Sequence, residues 1–563
     1  MPKRLELEVE NMNLLKFNNM LNIKKLSLII LLTLFIFPLF ADNYNIIPEP
    51  TKITKVGEEV YQLPYEFSIS FSEKELEFSA NYLSDYIYDN LGFKSEVIKG
   101  SKFRADINLI NLANGSTPGG YRINIDAPYG ITIEGNDEAG VFYGVQTLIQ
   151  LLPVNAAVLP QFDEILIEDE PALQYRGLLL DVVRHFLPVS YVKKFIDYMA
   201  LHKLNYFHWH LTDDQAWRIE MKSHPELTEI GSYREGEIVG FFPGEYKELP
   251  YKAYYTQDEI REVVEYAADR HITVIPELDI PGHCMAVLAT YPHFATDYGI
   301  DSIPPRKTAQ TWGIYNRQNN VLAPTPEVFA FLKDVFEEVC NLFPGQYVHF
   351  GGDECAKKWW EQSPKTQQFM KENSLADEKA LQSYFVDYVQ KVISSKGKIA
   401  IGWDEIIEGN ISKESVIMNW HRPSVGVEAL KRGHKVVFAS SQFFYFNRKE
   451  TRSQSEIGHR GPLSLENVYN FEIPSEGLTQ EEKNNIIGVQ ACLWTEYLPT
   501  TWKLEYFLFP RISALSEVCW SKSENKSWNN FKKKMVHQFD RYDLWGIRYN
   551  DAFFRLNDIV RSR

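Results

Sequence analysis

The sequence is poor in cysteine, has one long apolar run, and carries no excess of positive charge. Five Cys stand among 563 residues: Cys284, Cys340, Cys355, Cys492 and Cys519. The number is odd and no two have metal-ligand spacing. A disulfide framework is therefore not expected, and the thiols read as small buried hydrophobes. Asp and Glu outnumber Lys and Arg by 75 to 59, for a net charge of −16. That field argues against nucleic acid or anionic membrane as a partner. Repeats and low-complexity tracts are also missing. The one long apolar run, LSLIILLTLFIFPLFA at 26–41, follows Lys24 and Lys25. At about 15 residues it falls short of the ~20 that span a bilayer. A positive flank, an apolar run and Ala41 before a polar segment describe a secretory signal over 1–42, with Met20 as a candidate start. A membrane anchor is the rival. No Cys ends the run, so a lipid anchor is not expected. The protein is expected to be secreted or periplasmic, with no membrane span after cleavage.

What is present allows two or three domains and a large core. Trp (12) and Tyr (31) are abundant, but aromatic rings fill cores as readily as they stack on sugars. Residues 43–170 read as a small α+β domain. YRINIDAPYGITIEG (121–135) alternates around a Pro-Tyr-Gly turn and predicts a hairpin. Asn136 or Asp137 caps a helix predicted over 136–153, with Pro153 at its end. From 171 to 550 the pattern is strand-helix alternation. Apolar runs lie at 175–182, 205–211, 272–280, 347–354, 399–405, 415–420, 435–440 and 486–494. Helical stretches separate most of them, such as 190–204 and 256–271, the latter opening with a Thr256-x-x-Glu259 capping box. Eight such units predict a (β/α)8 barrel. The short 421–434 connection predicts an irregular helical layer there.

In such a barrel, chemistry sits at the C-terminal ends of the strands. Nearly every polar residue of interest in these runs falls at that end: Arg184 and His185, Asp213 and Asp214, Asp279 and His283, Asp353 and Glu354, Trp403 to Glu405, Trp420, Trp494 and Glu496. Adjacent carboxylates at Asp353 and Glu354 repel, so at least one pKa should be displaced. A helix N-cap pair is the structural reading of these two; convergence of so many polar strand ends favours catalysis. Gly351 and Gly352 are expected to let a ligand or backbone approach closely. His208 and His210 point to one side of a strand. They form either a hydrogen-bonded floor or, with His283, Asp279 and His349, a metal centre. Glu277 and Asp279 share a strand face and suggest a buried network. Trp403, Trp420 and Trp494 suggest a partly exposed aromatic box for a small acyl group.

At these residues the chain resembles glycoside hydrolase family 20, the β-N-acetylhexosaminidases. The resemblance rests on YRGLLLDVVRHF (175–186), KLNYFHWHLTDDQAWRIE (203–220), IPELDIPGH (275–283), VHFGGDE (348–354), GWDE (402–405) and ACLWTE (491–496). It runs from about 45 to 545. It implies an exo-acting, retaining enzyme that needs neither metal nor cofactor and takes a glycan with a terminal β-linked N-acetylhexosamine. By the same resemblance Glu354 is the acid/base and Asp353 orients the acetamido group, while Asp213 and His283 tune Glu354. Arg184 and Glu496 bind the sugar's hydroxyls, Tyr445 donates to the acetamido oxygen, and Trp403, Trp420 and Trp494 form the pocket. Adjacent carboxylates do not easily flank a glycosidic bond. The substrate-assisted route, an exception among retaining enzymes, removes that difficulty. Many members carry an aspartate where this chain has Asn447, followed by Arg448, which resembles variants that accept 6-sulfated N-acetylglucosamine. A metal-dependent barrel hydrolase built on His208 and His210, and a silent carbohydrate-binding protein, are the other classes.

Overall fold

Residues 121–135 form the expected hairpin, with strands Tyr121–Asp126 and Gly130–Gly135 paired antiparallel and Ile123, Ile125, Ile131 and Ile133 buried. The computed structural model describes residues 44–557, except 101–104, 114, 116, 241–244, 301–319, 410, 454, 455, 457 and 460. The signal segment expected over 1–42 lies outside the described residues. Among those described, no helix is long and apolar enough to cross a membrane.

The hairpin is the centre of a seven-stranded mixed sheet that also contains Lys52–Gln62, Glu66–Phe71, Lys94–Lys99, Ile107–Asn111 and Gln161–Asp169. Helices Glu77–Leu91 and Glu138–Leu151 pack on it and on each other. Of the two candidate caps, Asp137 closes the second helix by accepting from Gly140 N at 2.7 Å. Asn136 instead donates to the Thr117 carbonyl.

All eight predicted barrel strands form: β1 Tyr175–Asp181, β2 Tyr206–Asp213, β3 Thr273–Ile280, β4 Tyr347–Gly351, β5 Ile399–Trp403, β6 Val416–Asn419, β7 Lys435–Phe438 and β8 Ile486–Leu493. Each pairs in parallel with the next, and β8 returns to β1, closing the barrel. The Thr256–Glu259 capping box opens helix Gln257–Ala268 as expected. The irregularity expected at 421–434 is corrected: a regular helix, Pro423–Lys431, lies there. β6 and β7 have four residues each, about 13 Å of rise, and nine helical residues span about 13.5 Å, so a short helix matches short strands. The irregular step falls one connection earlier, where among the described residues only the 3₁₀ segment Asp404–Glu408 lies between β5 and β6. A second hairpin, Tyr233–Val239 with Glu245–Lys252, rises between β2 and β3 and was not foreseen. All five cysteines are free and buried.

The bottom of the barrel is aromatic. Tyr175 and Tyr206 stack with ring centroids 4.3 Å apart, and Tyr347 packs edge-on to both. Where the sheet domain meets the barrel, Lys203 Nζ lies 3.2 Å from Asp169, both side chains wholly buried. It also donates to Tyr121 Oη at 2.7 Å and sits 4.4 Å above the Trp520 ring. Trp520 Nε1 donates to the same Asp169 carboxylate. Burial pulls the Lys203 ammonium down to about 8, and Asp169 opposes that pull. Asp169→Ala leaves a buried charge without its counter-ion, so we expect a loss of about 3–5 kcal/mol in denaturant unfolding. A loss below about 1 kcal/mol, the scale of a surface pair, contradicts the assignment of this node as the joint between the two domains.

Candidate active site

Side chains at alternate positions of β2 point into the barrel, which brings His208, His210 and Thr212 above the aromatic floor. Glu277 of β3 and His349 of β4 enter the same layer, paired in register. Glu277 is its hub. It faces His210 Nδ1 at 2.5 Å, Trp403 Nε1 at 2.7 Å, His208 Nε2 at 3.1 Å and His349 Nδ1 at 3.2 Å. Burial alone would raise the Glu277 carboxyl, but the imidazoles, His210 first, hold it well below the usual range. Burial likewise works against a charged His210, yet Glu277 and Asp213 lift it to about 10. Both ring nitrogens of His210 are thus engaged by carboxylates, the second facing Asp213 Oδ2 at 3.1 Å. His208 and His210 form the floor, and the metal reading of this pair is not favoured. His208 Nδ1 instead meets the Gln490 amide at 2.9 Å, and burial lowers its pKa to about 4.

Above the floor runs a chain of alternating charge. Arg184 Nη2 meets Asp213 Oδ2 at 2.6 Å, and Asp213 Oδ1 meets His283 Nδ1 at 3.0 Å. His283 Nε2 then faces Glu354 Oε2 at 3.4 Å and Asp353 Oδ2 at 3.7 Å. Burial would raise the Asp213 carboxyl, but Arg184 and then His283 hold it well below its usual range. Burial would discharge His283, but Asp213 holds its pKa well above the usual value. A cationic imidazole therefore lies against both adjacent carboxylates. His283 and Glu354 share another property: each has a left-handed backbone, φ 45° and 44°, unusual for residues with a Cβ.

The two glycines make room for close approach by the protein itself. Gly351 has φ 68°, and a Cβ there would collide with the Asp279 carboxylate. At Gly352 it would meet Ile406 Cγ2 at 2.6 Å. At Gly351 both the backbone and the side chain of Asp279 approach, and at Gly352 the Ile406 side chain does. Asp279 Oδ1 accepts from Gly352 N at 3.0 Å, and burial, followed by Asp353, pushes its carboxyl well above the usual range. Burial also raises Asp353, against the pull of His283. Asp353 Oδ1 and Glu496 Oε2 are buried without a hydrogen-bond partner among the described residues. Such acceptors are costly unless a ligand satisfies them.

The tryptophans lie at strand ends as expected, but their expected partial exposure needs correction. Trp403 is 1% and Trp494 8% exposed; the first belongs to the floor through its bond to Glu277. Only Trp420 is partly exposed. Its ring lies nearly parallel to Tyr445, with centroids 6.1 Å apart at 17°, and Tyr445 lies 6.0 Å from Trp494. Trp494 carries the Arg184 guanidinium 5.2 Å above its ring. Asn447 is 2% exposed. Arg448 Nη1 donates to the carbonyls of Ser441 at 2.8 Å and Gln442 at 3.4 Å.

Two residues that grip Arg184 escaped the sequence reading. Asp181 Oδ2 lies 3.2 Å from Nη1, and Gln215 Oε1 accepts from Nε at 2.9 Å. The Asp181-x-x-Arg184 spacing was a usable signal; Gln215 offered none. Arg234 of the unforeseen hairpin donates to the Arg184 carbonyl.

Known proteins resemble the chain over most of its length. Residues 173–523 match the catalytic domain of glycosyl hydrolase family 20, and 43–170 match domain 2 of the same family. A β-hexosaminidase of Porphyromonas gingivalis is 38% identical over 526 residues, 91% of this chain, which spans 65% of that protein. One from Vibrio furnissii is 34% identical over 84% of this chain and 76% of its own length. Among solved structures, a family 20 exo-β-N-acetylglucosaminidase of Vibrio harveyi bound to N-acetylglucosamine superposes with a TM-score of 0.80. It is 30% identical, over 90% of this chain and 78% of that one. The chain belongs to glycosyl hydrolase family 20.

Proposed function

We propose that the chain is an exo-acting, retaining β-N-acetylhexosaminidase that works by substrate assistance. One observation carries the reading: the Asp353 and Glu354 carboxylates both face the single nitrogen His283 Nε2, at 3.7 and 3.4 Å. Two groups reaching from one side are poorly placed to act as nucleophile and acid across a glycosidic bond. They suit a division of labour in which the substrate supplies the nucleophile. The acetamido carbonyl oxygen attacks the anomeric carbon while Glu354 protonates the departing oxygen. The result is an oxazolinium ion. The unpartnered Asp353 Oδ1 accepts from its N–H as the nitrogen becomes positive, and Tyr445 holds the acyl oxygen. Glu354 then takes a proton from water, which opens the ring and restores the original configuration. Arg184 and Glu496 bind the outer hydroxyls, Trp420 and Trp494 wall the acyl pocket, and Trp403 supports it from below. The apolar run at 26–41 supports a secreted or periplasmic location.

A finer proposal concerns Asn447 and Arg448: a neutral amide beside a guanidinium suits a 6-sulfate better than an aspartate does. Arg448 is anchored by the Ser441 and Gln442 carbonyls, which holds its charge at one place for such a contact.

Glu354→Gln keeps the shape and removes the proton. We expect a rate loss on the order of 10² or more with a poor leaving group, the scale of general acid–base catalysis. The loss should shrink with an activated aryl leaving group; an equal loss for both refutes the acid role. For the sulfate, kcat/KM is compared for aryl 6-sulfo-N-acetylglucosaminide and its neutral counterpart. Asn447→Asp should lower the sulfated rate selectively, by about 1–3 kcal/mol. A parent inactive on the sulfated sugar, or a variant that treats both alike, removes the sulfate proposal alone.

A further inference from the structure

Glu405 is a further acid at the mouth of the barrel, close to Asp353 and Glu354, and has no part in the mechanism above. It lies in the 3₁₀ segment after β5. Its Oε2 accepts from Trp420 Nε1 at 2.8 Å, and its Oε1 lies 3.4 Å from the Glu354 backbone N. One side chain thus joins the ends of β4, β5 and β6. The groups around it are Asp353 and Glu354 from the loop after β4, Asp404 on its own segment, His421 after β6 and Tyr445 after β7. Asp404 is engaged by His421 Nδ1 at 2.6 Å and so turns away from this role. Burial, then Asp353 and Asp404, pushes the Glu405 carboxyl up to about 8.

Burial and its acidic neighbours hold Glu405 toward its neutral form, so it adds little negative charge to the site. Its two oxygens face two N–H donors, one in the loop after β4 and one just after β6. Glutamine offers one acceptor oxygen and presents N–H groups on the other arm, where one of these donors would meet another donor. Both donors matter: Glu354 N belongs to the residue with φ 44°, and Trp420 stacks on Tyr445. Resting on the substrate-assisted reading, we propose that Glu405 is a positioning residue that ties Trp420 to the Glu354 loop and so fixes how large an N-acyl group the site accepts.

The test compares kcat/KM for aryl glucosaminides bearing N-acetyl, N-propanoyl and N-butanoyl groups in the parent, Glu405→Gln and Trp420→Phe. Trp420→Phe removes the indole donor and leaves Glu405 in place. The parent should prefer acetyl strongly. Each variant should lower kcat on the N-acetyl substrate and raise the butanoyl-to-acetyl ratio by about tenfold, the low end of what a methylene-sized change in a pocket is worth. The double variant should shift the ratio no further than the larger single one, because both changes cut one contact. An unchanged ratio in Trp420→Phe, or in a folded Glu405→Gln whose thermal stability alone has fallen, overturns the proposal. A parent inactive on the N-acetyl substrate defeats the functional reading instead.

Discussion

A cationic imidazole pressed between carboxylates is the interaction on which the site depends. Two unit charges 4 Å apart interact by about 4 kcal/mol at an effective dielectric of 20, so consecutive acids at a barrel mouth need a compensating charge. His283 supplies it, held toward its charged form chiefly by Asp213 against its other nitrogen. Asp213 in turn stays ionised in a buried place because Arg184 holds it. The chain reaches back from Glu354 through the ends of β3, β2 and β1, so the state of the proposed acid depends on residues from four strands. Asp279 completes the balance: pushed toward its neutral form, it accepts a backbone N–H under Asp353 with little added negative charge.

Much of the fold was legible because parallel barrel strands are buried on both faces and read as near-continuous apolar runs. The Thr256–Glu259 box and the Pro-Tyr-Gly turn are local signals and were visible for that reason. The hairpin at 233–252 was not, since its strands are largely exposed and polar and carry no comparable apolar run. Helix Pro423–Lys431 is not legible from the length of its connection alone, because that length is set by the short strands it joins.

The site was legible as a set of strand ends but not as a set of contacts. Barrel geometry alone places Arg184, Asp213, His283 and Glu354 on one rim. The pairing of His283 with Asp213, 70 positions apart, is a tertiary fact. The depth of Trp403 follows from its bond to Glu277, and the need for Gly351 follows from Asp279; neither leaves a trace in the run that contains it.

The central claim is that the substrate's own carbonyl oxygen is the nucleophile, and one series tests it most directly. Turnover is measured on aryl glucosaminides whose N-acyl group is acetyl, fluoroacetyl, difluoroacetyl or trifluoroacetyl, with the leaving group unchanged. Fluorine withdraws electron density from the carbonyl oxygen while adding little bulk. Substrate assistance predicts a steep, monotonic fall in kcat with each fluorine. A flat series, with KM alone responding, would mean that the protein supplies the nucleophile and would contradict the account.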